Sequence, residues 1–502
     1  MFSLSDEEAN GVIRDIRNKK SAFWEKKREK YAVSLFQKAA RCIPAYKDFL
    51  KKNKVNPQKI KTFEDFKQIP ATSKKNYIQQ YPLKSLAWGD CFKNKQLVFC
   101  STSGSTGEPF YFPRSYQLDW ESSIIHQIFL ENNRQNLKQP TLVIIGFGMG
   151  VWIGGLITYK AFEIAGIRSK YPISIITPGI NKIEIFNALK KLAPHYKQTI
   201  LIGYAPFIKD IIDEAPSQGI NLKKLNMRML FAAEAFSEKF RDYICKKVGI
   251  KNPCLGTLNV YGTADIGTMA YETPISILIR RLAIKNKKLF KEIFSSTDKT
   301  PTLAQYNPNF IVFESLNGEI ILTGDNSIPL IRYAIGDHGG TYNFSELSSK
   351  LKKFGLDIYK EAEKAGVQNY VYELPFVYVY ERADLATSLY GLLIYPETIR
   401  EALLDKTISR FLTGKFTMLT KFDSKQNQYL QINLELKKDK KIGKAVKEKI
   451  LKKIVCYLRF KNSEFRELSD YLKKRAFPKL VFWPAEHPLY FRPGVKQRWV
   501  KH

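Results

Sequence analysis

Residues 141–159 read TLVIIGFGMGVWIGGLITY and contain no charged side chain. A membrane-spanning helix needs about 20 apolar residues, so this stretch is just long enough to raise that possibility. Five glycines interrupt it, however, and residues 142–145 have the composition of a buried strand. We therefore predict a strand, a glycine-rich turn and a helix over residues 153–165, and a protein without a membrane span.

The same alternation continues beyond this stretch. Between residues 140 and 270, short apolar runs typical of strands alternate with amphipathic stretches typical of helices. Because parallel strands need crossover connections, this order predicts a parallel sheet covered by helices, with ligands bound beyond the carboxyl ends of the strands. The predicted strands are 142–145, 173–176, 199–202, 227–231 and 255–260, and the predicted helices are 153–165, 182–193, 206–214 and 237–247.

The pattern changes in the last two fifths of the chain. Residues 310–323 predict a hairpin with its tight turn at Asn317-Gly318, and β-rich sequence continues to about residue 380. A smaller α+β unit follows, with a helix at 396–404, strands at 416–422 and 429–436, and helices near 443–458 and 464–474. The predicted fold is α/β, with a large N-terminal domain (1–383) of mainly parallel, helix-covered sheet plus a β-rich subdomain, and a small α+β C-terminal domain (384–502).

The chain is strongly basic, with 81 lysines and arginines against 48 acidic residues and a net charge of +33. Nucleic-acid binding is the first interpretation of such a charge. The lysines are spread along the whole sequence, however, and no nucleic-acid-binding motif accompanies them. Solvated lysine-rich helix faces explain the charge better, with attraction of anionic small molecules or acidic proteins as a functional alternative.

The cysteines and the first residues of the sequence indicate the cellular compartment. The six cysteines form no Cys-x-x-Cys pair and no cluster with histidine, which argues against a disulfide framework or a zinc site and fits a reducing compartment. The chain starts with an acidic, capped helix pattern rather than a signal peptide. We expect a cytoplasmic protein.

Three polar clusters carry the candidate chemistry. Residues 100–109, CSTSGSTGEP, place hydroxyls and glycines directly after an apolar run, a composition that suits either a phosphate-binding loop or an ordinary solvated loop. Residues 259–265, NVYGTAD, end a predicted strand with an aromatic ring for a base and a carboxylate for a divalent cation, or form a plain turn. Residues 329–337, PLIRYAIGD, end in a carboxylate suited to a ribose diol or in a β-turn.

These clusters, in this order, resemble the adenylate-forming enzyme superfamily, and most closely its phenylacetate–coenzyme A ligase branch. The resemblance covers nearly the whole chain. Its further matching segments are 43–46, 61–66, 69–74, 147–155, 232–237, 382–384, 390–391, 395–396 and 494–498.

The resemblance implies a two-step reaction. A carboxylate attacks the α-phosphorus of ATP to give an acyl-adenylate and pyrophosphate, and coenzyme A then takes the acyl group; alternatively, the acceptor is an acidic carrier protein, another protein or a different nucleophile. The implied cofactors are ATP, Mg²⁺ and coenzyme A. The implied residues are Lys496, Arg382 and Asp265 in catalysis, Asp265 as metal ligand, Asp384 as hinge of a mobile C-terminal domain, Gly391 in the thiol tunnel, and Ser103, Gly104, Ser105, Thr106, Gly107, Ala233, Glu234, Tyr261, Gly262, Thr263, Asp337 and Arg382 at the nucleotide.

The chain departs from the family at several positions. Glu108 stands where a lysine is usual, Asp265 replaces a glutamate, and Ala334 stands where a basic residue is common. In addition, Ala264 replaces a hydroxyl residue and Glu381 a glycine. A non-catalytic relative is therefore an alternative, although the joint presence of Asp337, Arg382 and Lys496 argues against it. The acid is expected to be hydrophobic, with Phe147, Trp152 and Tyr204 either lining its pocket or belonging to the core.

Overall fold

The computed structural model describes residues 4–89, 91–101, 110–132, 138–150, 153–233, 235–294, 300–380, 387–389, 392–423, 428–492 and 499–500. Its helices are α1 (Asp6–Asn18), α2 (Ser21–Cys42), α3 (Pro44–Lys52), α4 (Phe63–Lys67), α5 (Leu83–Leu86), α6 (Cys91–Asn94), α7 (Tyr116–Glu131), α8 (Ile153–Ser169), α9 (Lys182–Lys191), α10 (Ala205–Glu214), α11 (Glu238–Val248), α12 (Pro253–Gly256), α13 (Pro274–Lys285), α14 (Lys287–Ile293), α15 (Phe344–Lys352), α16 (Ile358–Lys364), α17 (Pro396–Leu403), α18 (Lys444–Lys461) and α19 (Ser463–Leu472).

The strands fall into one large and three small sheets. They are β1 (Thr72–Ser73), β2 (Leu97–Ser101), β3 (Tyr111–Ser115), β4 (Thr141–Gly146), β5 (Ile173–Ile176), β6 (Gln198–Gly203), β7 (Met227–Ala232), β8 (Thr257–Thr263), β9 (Gly267–Tyr271), β10 (Thr302–Gln305), β11 (Ile311–Leu316), β12 (Glu319–Gly324), β13 (Leu330–Tyr342), β14 (Phe376–Val379), β15 (Thr387–Leu389), β16 (Leu392–Ile394), β17 (Leu412–Phe422), β18 (Gln428–Leu436) and β19 (Lys479–Trp483).

Within the described residues, twelve strands form one continuous sheet in the order β11-β12-β13-β14-β10-β9-β8-β7-β6-β4-β5, with β1 added beside β13. The strands β5, β4, β6, β7 and β8 run parallel to one another. From β9 onward, each strand pairs antiparallel with its neighbour. The long strand β13 pairs with β12 along its first part and with β14 along its last part, so it connects the β11–β12 hairpin to the rest of the sheet.

The predicted parallel unit is confirmed. Its strands read as continuous apolar runs because both faces of the sheet are covered. On one face, Leu142 and Leu201 pack with helices α9 and α10, and on the other face Val143 and Ile200 pack with α7 and α8. No helix in the described part of the chain is long and apolar enough to cross a membrane, and residues 153–169 form α8 over this sheet.

One predicted boundary is wrong. The last strand of the parallel unit was expected from residue 255, but Leu255 lies in the short helix α12, and β8 begins at Thr257. Pro253 and the capping side chain of Asn252 favour a helical turn there. The predicted hairpin is confirmed as β11 and β12, with positive φ angles of 51° at Asn317 and 80° at Gly318 in its turn.

The C-terminal part contains the predicted helices and strands and has its own hydrophobic cluster. Strands β17, β18 and β19 form a sheet against α17 and α18, around Phe416, Ile432 and Ile454. The predicted boundary between residues 383 and 384 lies outside the described residues. The division of the chain at that point therefore stays a prediction.

Candidate functional site

Two of the predicted nucleotide-binding segments lie side by side at the carboxyl ends of β7 and β8. Ala232 pairs with Val260, so Ala233 and Tyr261 follow at the same edge of the sheet. Ala233 has a φ of 70°, a conformation that residues with a β-carbon adopt rarely. Gly262 permits a close approach to β9, because a β-carbon there would lie 2.6 Å from the carbonyl oxygen of Gly267.

The third segment, residues 332–337, lies in β13. Gly336 has a φ of 84°, which favours glycine, and it comes directly before the buried Asp337. This segment is supported by the N-terminal part of the chain. Strand β1 runs parallel to it with Thr72 opposite Tyr333, and the Thr72 hydroxyl donates to the carbonyl of Ile331 over 2.8 Å. The Arg332 guanidinium donates to the Ile69 carbonyl.

The segments at β8 and β13 are joined by two crossed hydrogen bonds. The hydroxyl of Tyr261 donates to Asp337 over 2.5 Å, and the hydroxyl of Tyr333 donates to Asp265 over 2.8 Å. Each tyrosine precedes, by four residues, the aspartate of its own segment and bonds the aspartate of the other. We call these two bonds the crossed tyrosine–aspartate pairs. They bring together the two carboxylates that were predicted separately for metal and ribose.

The same site carries an unsatisfied hydroxyl. The Thr263 Oγ1 atom is buried and has no hydrogen-bond partner among the described residues. A buried hydroxyl without a partner costs free energy, and a phosphate oxygen of a nucleotide would satisfy it. Asp265 next to it is half-buried, so a cation can reach its carboxylate. The residue types at this site therefore fit a nucleotide with a hard divalent cation.

The described residues contain no group of three or more histidine, cysteine, aspartate or glutamate side chains that could hold a metal ion. Mg²⁺ does not need such a cage, because it commonly binds one or two carboxylates together with substrate phosphates and water. A single carboxylate at Asp265 beside bound phosphates is compatible with that preference.

A buried ionic network behind β7 and β8 was not predicted from the sequence. The Arg241 guanidinium donates to Glu272 over 2.7 Å and to Glu238 over 3.0 Å, and Arg280 donates to Glu238 over 2.9 Å. Burial alone would raise the pKa of Glu238, but the surrounding arginines lower it. Arg280 also donates to the carbonyl of Phe236, so the network fixes the chain just after Ala233.

The C-terminal part touches this same segment. The Arg400 guanidinium in α17 donates to the Ala235 carbonyl over 2.5 Å, and it lies over the ring of Trp499 at 4.6 Å. Sequence reasoning missed this contact because its partners are separated by 165 residues. The contact brings Trp499 to the edge of the predicted adenine-binding segment.

The predicted phosphate loop joins two described strands. Strands β2 and β3 pair antiparallel, with Ser101 opposite Tyr111. Arg114 in β3 forms a buried ion pair with Asp119 in α7 at 3.1 Å, which ties the hairpin to the main body. The loop positions Ser103, Gly104, Ser105, Thr106, Gly107 and Glu108, together with Trp152, Glu234, Glu381, Arg382, Asp384, Gly391 and Lys496, lie outside the described residues.

Two of the three aromatic residues predicted for the acid pocket, Phe147 and Tyr204, are among the described residues. Phe147 is buried after β4, and its ring meets that of Tyr204, after β6, at 5.0 Å in an edge-on arrangement. Tyr204 is only partly buried, so it is the more accessible ring at this carboxyl edge. Both residues follow the carboxyl ends of parallel strands, where proteins with such sheets bind their ligands.

No protein-family model matches the chain. Over 228 residues it is 23% identical to a phenylacetate–coenzyme A ligase of Pseudomonas putida, which covers 45% of this chain and 47% of that protein. A phenylacetate–coenzyme A ligase of Thermus thermophilus is 19% identical over 323 residues, covering 64% of this chain and 65% of that protein. The chain is similar to phenylacetate–coenzyme A ligases. It spans about half the length of the first relative.

The fold of the chain recurs in a solved structure. A 2-hydroxyisobutyryl–coenzyme A ligase, in the postadenylation state in complex with 2-HIB-AMP, aligns with a TM-score of 0.66 at 14% identity. The alignment covers 97% of this chain and 91% of that one. The predicted fold class is therefore confirmed over both the large sheet and the C-terminal part.

Proposed function

We propose that the protein activates a hydrophobic carboxylic acid with ATP and transfers the acyl group to coenzyme A, with release of pyrophosphate and AMP. The observation that carries this proposal is the pair of crossed tyrosine–aspartate bonds. They join the segment that contains Asp265 to the segment that contains Asp337, although Tyr261 and Asp337 are 76 residues apart in sequence. The names of the curated relatives support the same reaction.

The first step joins an acid anion to an anionic phosphate, so it requires positive charge and oriented hydrogen-bond donors. In this proposal Asp337 accepts hydrogen bonds from the ribose, the Tyr261 ring lies against the adenine, and Thr263 donates to a phosphate oxygen. Bound Mg²⁺ would supply positive charge beside the phosphates, with Asp265 as its protein ligand. The loop residues 103–107 would donate to the pyrophosphate that leaves.

The segment at the predicted domain boundary and the C-terminal part supply the remaining proposed groups. Lys496 would neutralise charge at the α-phosphate during adenylation, and Arg382 would bind the nucleotide near the domain boundary. Asp384 would act as the hinge that lets residues 384–502 move between the two steps, and Gly391 would line the path of the thiol. Such a movement gates the sequence of steps and needs no active-site base.

The positive charge of the chain favours a second acceptor for the acyl group. The chain has a net charge of +33, and α18 exposes several lysines on one helix. A basic surface accelerates docking of an acidic partner, so an acidic carrier protein in place of coenzyme A is the alternative acceptor. The exposed lysines of α18 are Lys444, Lys447, Lys449 and Lys452.

The test is acid-dependent pyrophosphate release over a panel of aryl and aliphatic carboxylic acids, with and without Mg²⁺ and coenzyme A. We expect release that requires both an acid and Mg²⁺, and an acyl–coenzyme A product when the thiol is present. Release without any acyl–coenzyme A would replace coenzyme A by the carrier-protein acceptor. No release with any acid of a broad panel would refute the proposal, and a reaction without the protein serves as the background control.

A further inference from the structure

A buried set of charges joins the C-terminal sheet to the large sheet. The ammonium of Lys415 in β17 lies 2.6 Å from Asp210 in α10 and 3.4 Å from Glu435 in β18. Lys182 in α9 approaches the same Asp210 carboxylate at 3.8 Å. The exposed fractions of the Asp210, Lys415 and Glu435 side chains are 3%, 10% and 1%. We call these four residues the α10–β17 charge network.

A second contact lies beside the network. Lys209, the residue before Asp210, donates to the Thr413 carbonyl over 3.0 Å and forms an ion pair with Asp213 at 2.6 Å. Lys182 also reaches Glu486, beyond β19, at 3.3 Å. Two adjacent residues of α10 thus hold Thr413 and Lys415 of strand β17. The contact is specific in register, since a shift of β17 by one residue would remove Lys415 from Asp210.

The charges of the network depend on one another, so that replacing one of its residues destabilises the others. Burial alone would lower the pKa of the Lys415 ammonium, but the carboxylates of Asp210 and Glu435 raise it above its ordinary value. Burial raises the pKa of Glu435, and Lys415 opposes that change. Because an isolated buried charge is costly, removing Lys415 leaves two carboxylates poorly compensated in this arrangement. Separation of the C-terminal part would instead return them to water.

The network lies close to Trp499 near the end of the chain. Phe416, the residue after Lys415, packs on Trp499 with a ring distance of 4.6 Å, and Met418 donates its backbone N–H to the Trp499 carbonyl over 2.6 Å. Trp499 in turn lies against Arg400, which holds the Ala235 carbonyl. The position of β17 therefore sets the position of the residue three places after Lys496 relative to the adenine-binding segment.

We propose that Lys415 and Asp210 are positioning residues for adenylation. They seat β17, and with it Trp499, against the segment that follows β7 at the nucleotide site, and they have no part in the transfer to the thiol. This inference rests on the proposed function. It predicts a separation of the two half-reactions that a general loss of folding would not produce.

The experiment compares both half-reactions in Lys415→Met, Asp210→Asn and Lys415→Arg. Adenylation is followed by ATP–pyrophosphate exchange with the acid that gives the highest pyrophosphate release in the wild-type protein. Transfer is followed in a single turnover that starts from the matching synthetic acyl-adenylate and coenzyme A. Lys453→Met is the matched control, because Lys453 forms an ion pair with Asp405 at 2.9 Å entirely within the C-terminal part.

We expect Lys415→Met and Asp210→Asn to lower the adenylation kcat at least about tenfold, which corresponds to about 1.4 kcal/mol. The KM for ATP and the transfer rate should stay within about twofold of wild type, and Lys415→Arg should restore most of the adenylation rate. The Lys453→Met control should change neither step. Equal losses in both steps, or no loss in adenylation, would overturn the inference.

A second measurement does not depend on activity. Small-angle scattering of the full chain should give a larger radius of gyration for Lys415→Met and Asp210→Asn than for wild type and Lys453→Met. An unchanged radius in both network variants would also overturn the inference. If the wild-type protein adenylates no acid, the proposed function fails, and the scattering result still decides whether the network holds the C-terminal part in place.

Discussion

Replacement of Tyr333 by phenylalanine removes one hydroxyl from the crossed tyrosine–aspartate pairs and nothing else of comparable size. Tyr333 is 1% exposed, and its hydroxyl donates to Asp265 over 2.8 Å. The ring keeps its place in β13, between β1 and β12. The substitution therefore tests whether the orientation of the Asp265 carboxylate matters for the proposed reaction.

The expected loss of adenylation rate can be calculated because the acceptor of the Tyr333 hydroxyl is the charged Asp265 carboxylate. A hydrogen bond to a charged group contributes about 1.5–3 kcal/mol, and each 1.4 kcal/mol changes a rate about tenfold. The full contribution corresponds to a loss of about 10- to 150-fold in adenylation. Because Asp265 is half-buried, water can replace part of the lost bond, and we expect a decrease of about tenfold. The Mg²⁺ concentration for half-maximal rate should rise several-fold.

The assay is ATP–pyrophosphate exchange as a function of Mg²⁺, paired with calorimetric titration of ATP in the absence of the metal. Tyr342→Phe is the matched control, since Tyr342 lies in the same strand and donates its hydroxyl to the Ile293 carbonyl over 2.7 Å. Affinity for metal-free ATP should be the same in all three proteins. If Tyr333→Phe keeps the wild-type rate and Mg²⁺ dependence, Tyr333 does not position Asp265 for this reaction.

Four further predictions concern other parts of the chain. Tyr261→Phe should raise the KM for ATP about three- to tenfold in exchange assays, because Asp337 loses its hydrogen-bonded partner. Lys496→Ala should lower adenylation by orders of magnitude while calorimetry shows unchanged ATP affinity. Burial lowers the pKa of His126 from 6.5 to about 4, so its neutral form stabilises the fold above about pH 6.5. Urea unfolding should show a loss of at most about 3 kcal/mol between pH 6.5 and 4 that His126→Gln reduces. Glu272→Gln should lower the free energy of unfolding by about 3–5 kcal/mol, because it leaves buried arginine charge uncompensated.

Each of these four predictions would be contradicted by one result. An unchanged KM for ATP in the Tyr261 variant would show that its hydroxyl does not position the ribose carboxylate. Wild-type adenylation by Lys496→Ala would remove that lysine from the reaction. An identical pH dependence with and without His126 would mean that other groups account for acid destabilisation. A Glu272→Gln protein as stable as wild type would show that the buried arginines find other partners.

The parallel half of the fold could be predicted because its signal is local. Strands buried on both faces must be apolar throughout, and the five predicted runs all overlap β4–β8. The turn at Asn317-Gly318 carries its own conformational preference. The strand order of the antiparallel half was not predicted, because neighbouring strands such as β10 and β14 are about 70 residues apart and nothing in either sequence specifies the other.

The candidate site was predicted in part for the same reason. Tyr261, Asp265 and Asp337 each belong to a short polar cluster after an apolar strand, and the structure brings these three together. The role of Tyr333 was missed, because its partner lies 68 residues away. Lys415 looked like one of many lysines, since its pairing with Asp210 depends on how two distant sheets meet.

The pairing of β10 with β14 has a consequence for the synthesis of the protein. When the ribosome has made the chain up to β10, the parallel strands are complete and β10 pairs with β9, but the outer edge of β10 has no neighbour. Its partner there is β14, which ends at Val379, about 75 residues after the end of β10 at Gln305. At about 5–20 residues per second this edge stays open for roughly 4–15 seconds. An unpaired edge attracts other strands, so we expect stalled or truncated chains that end between β10 and β14 to associate far more readily than the finished protein.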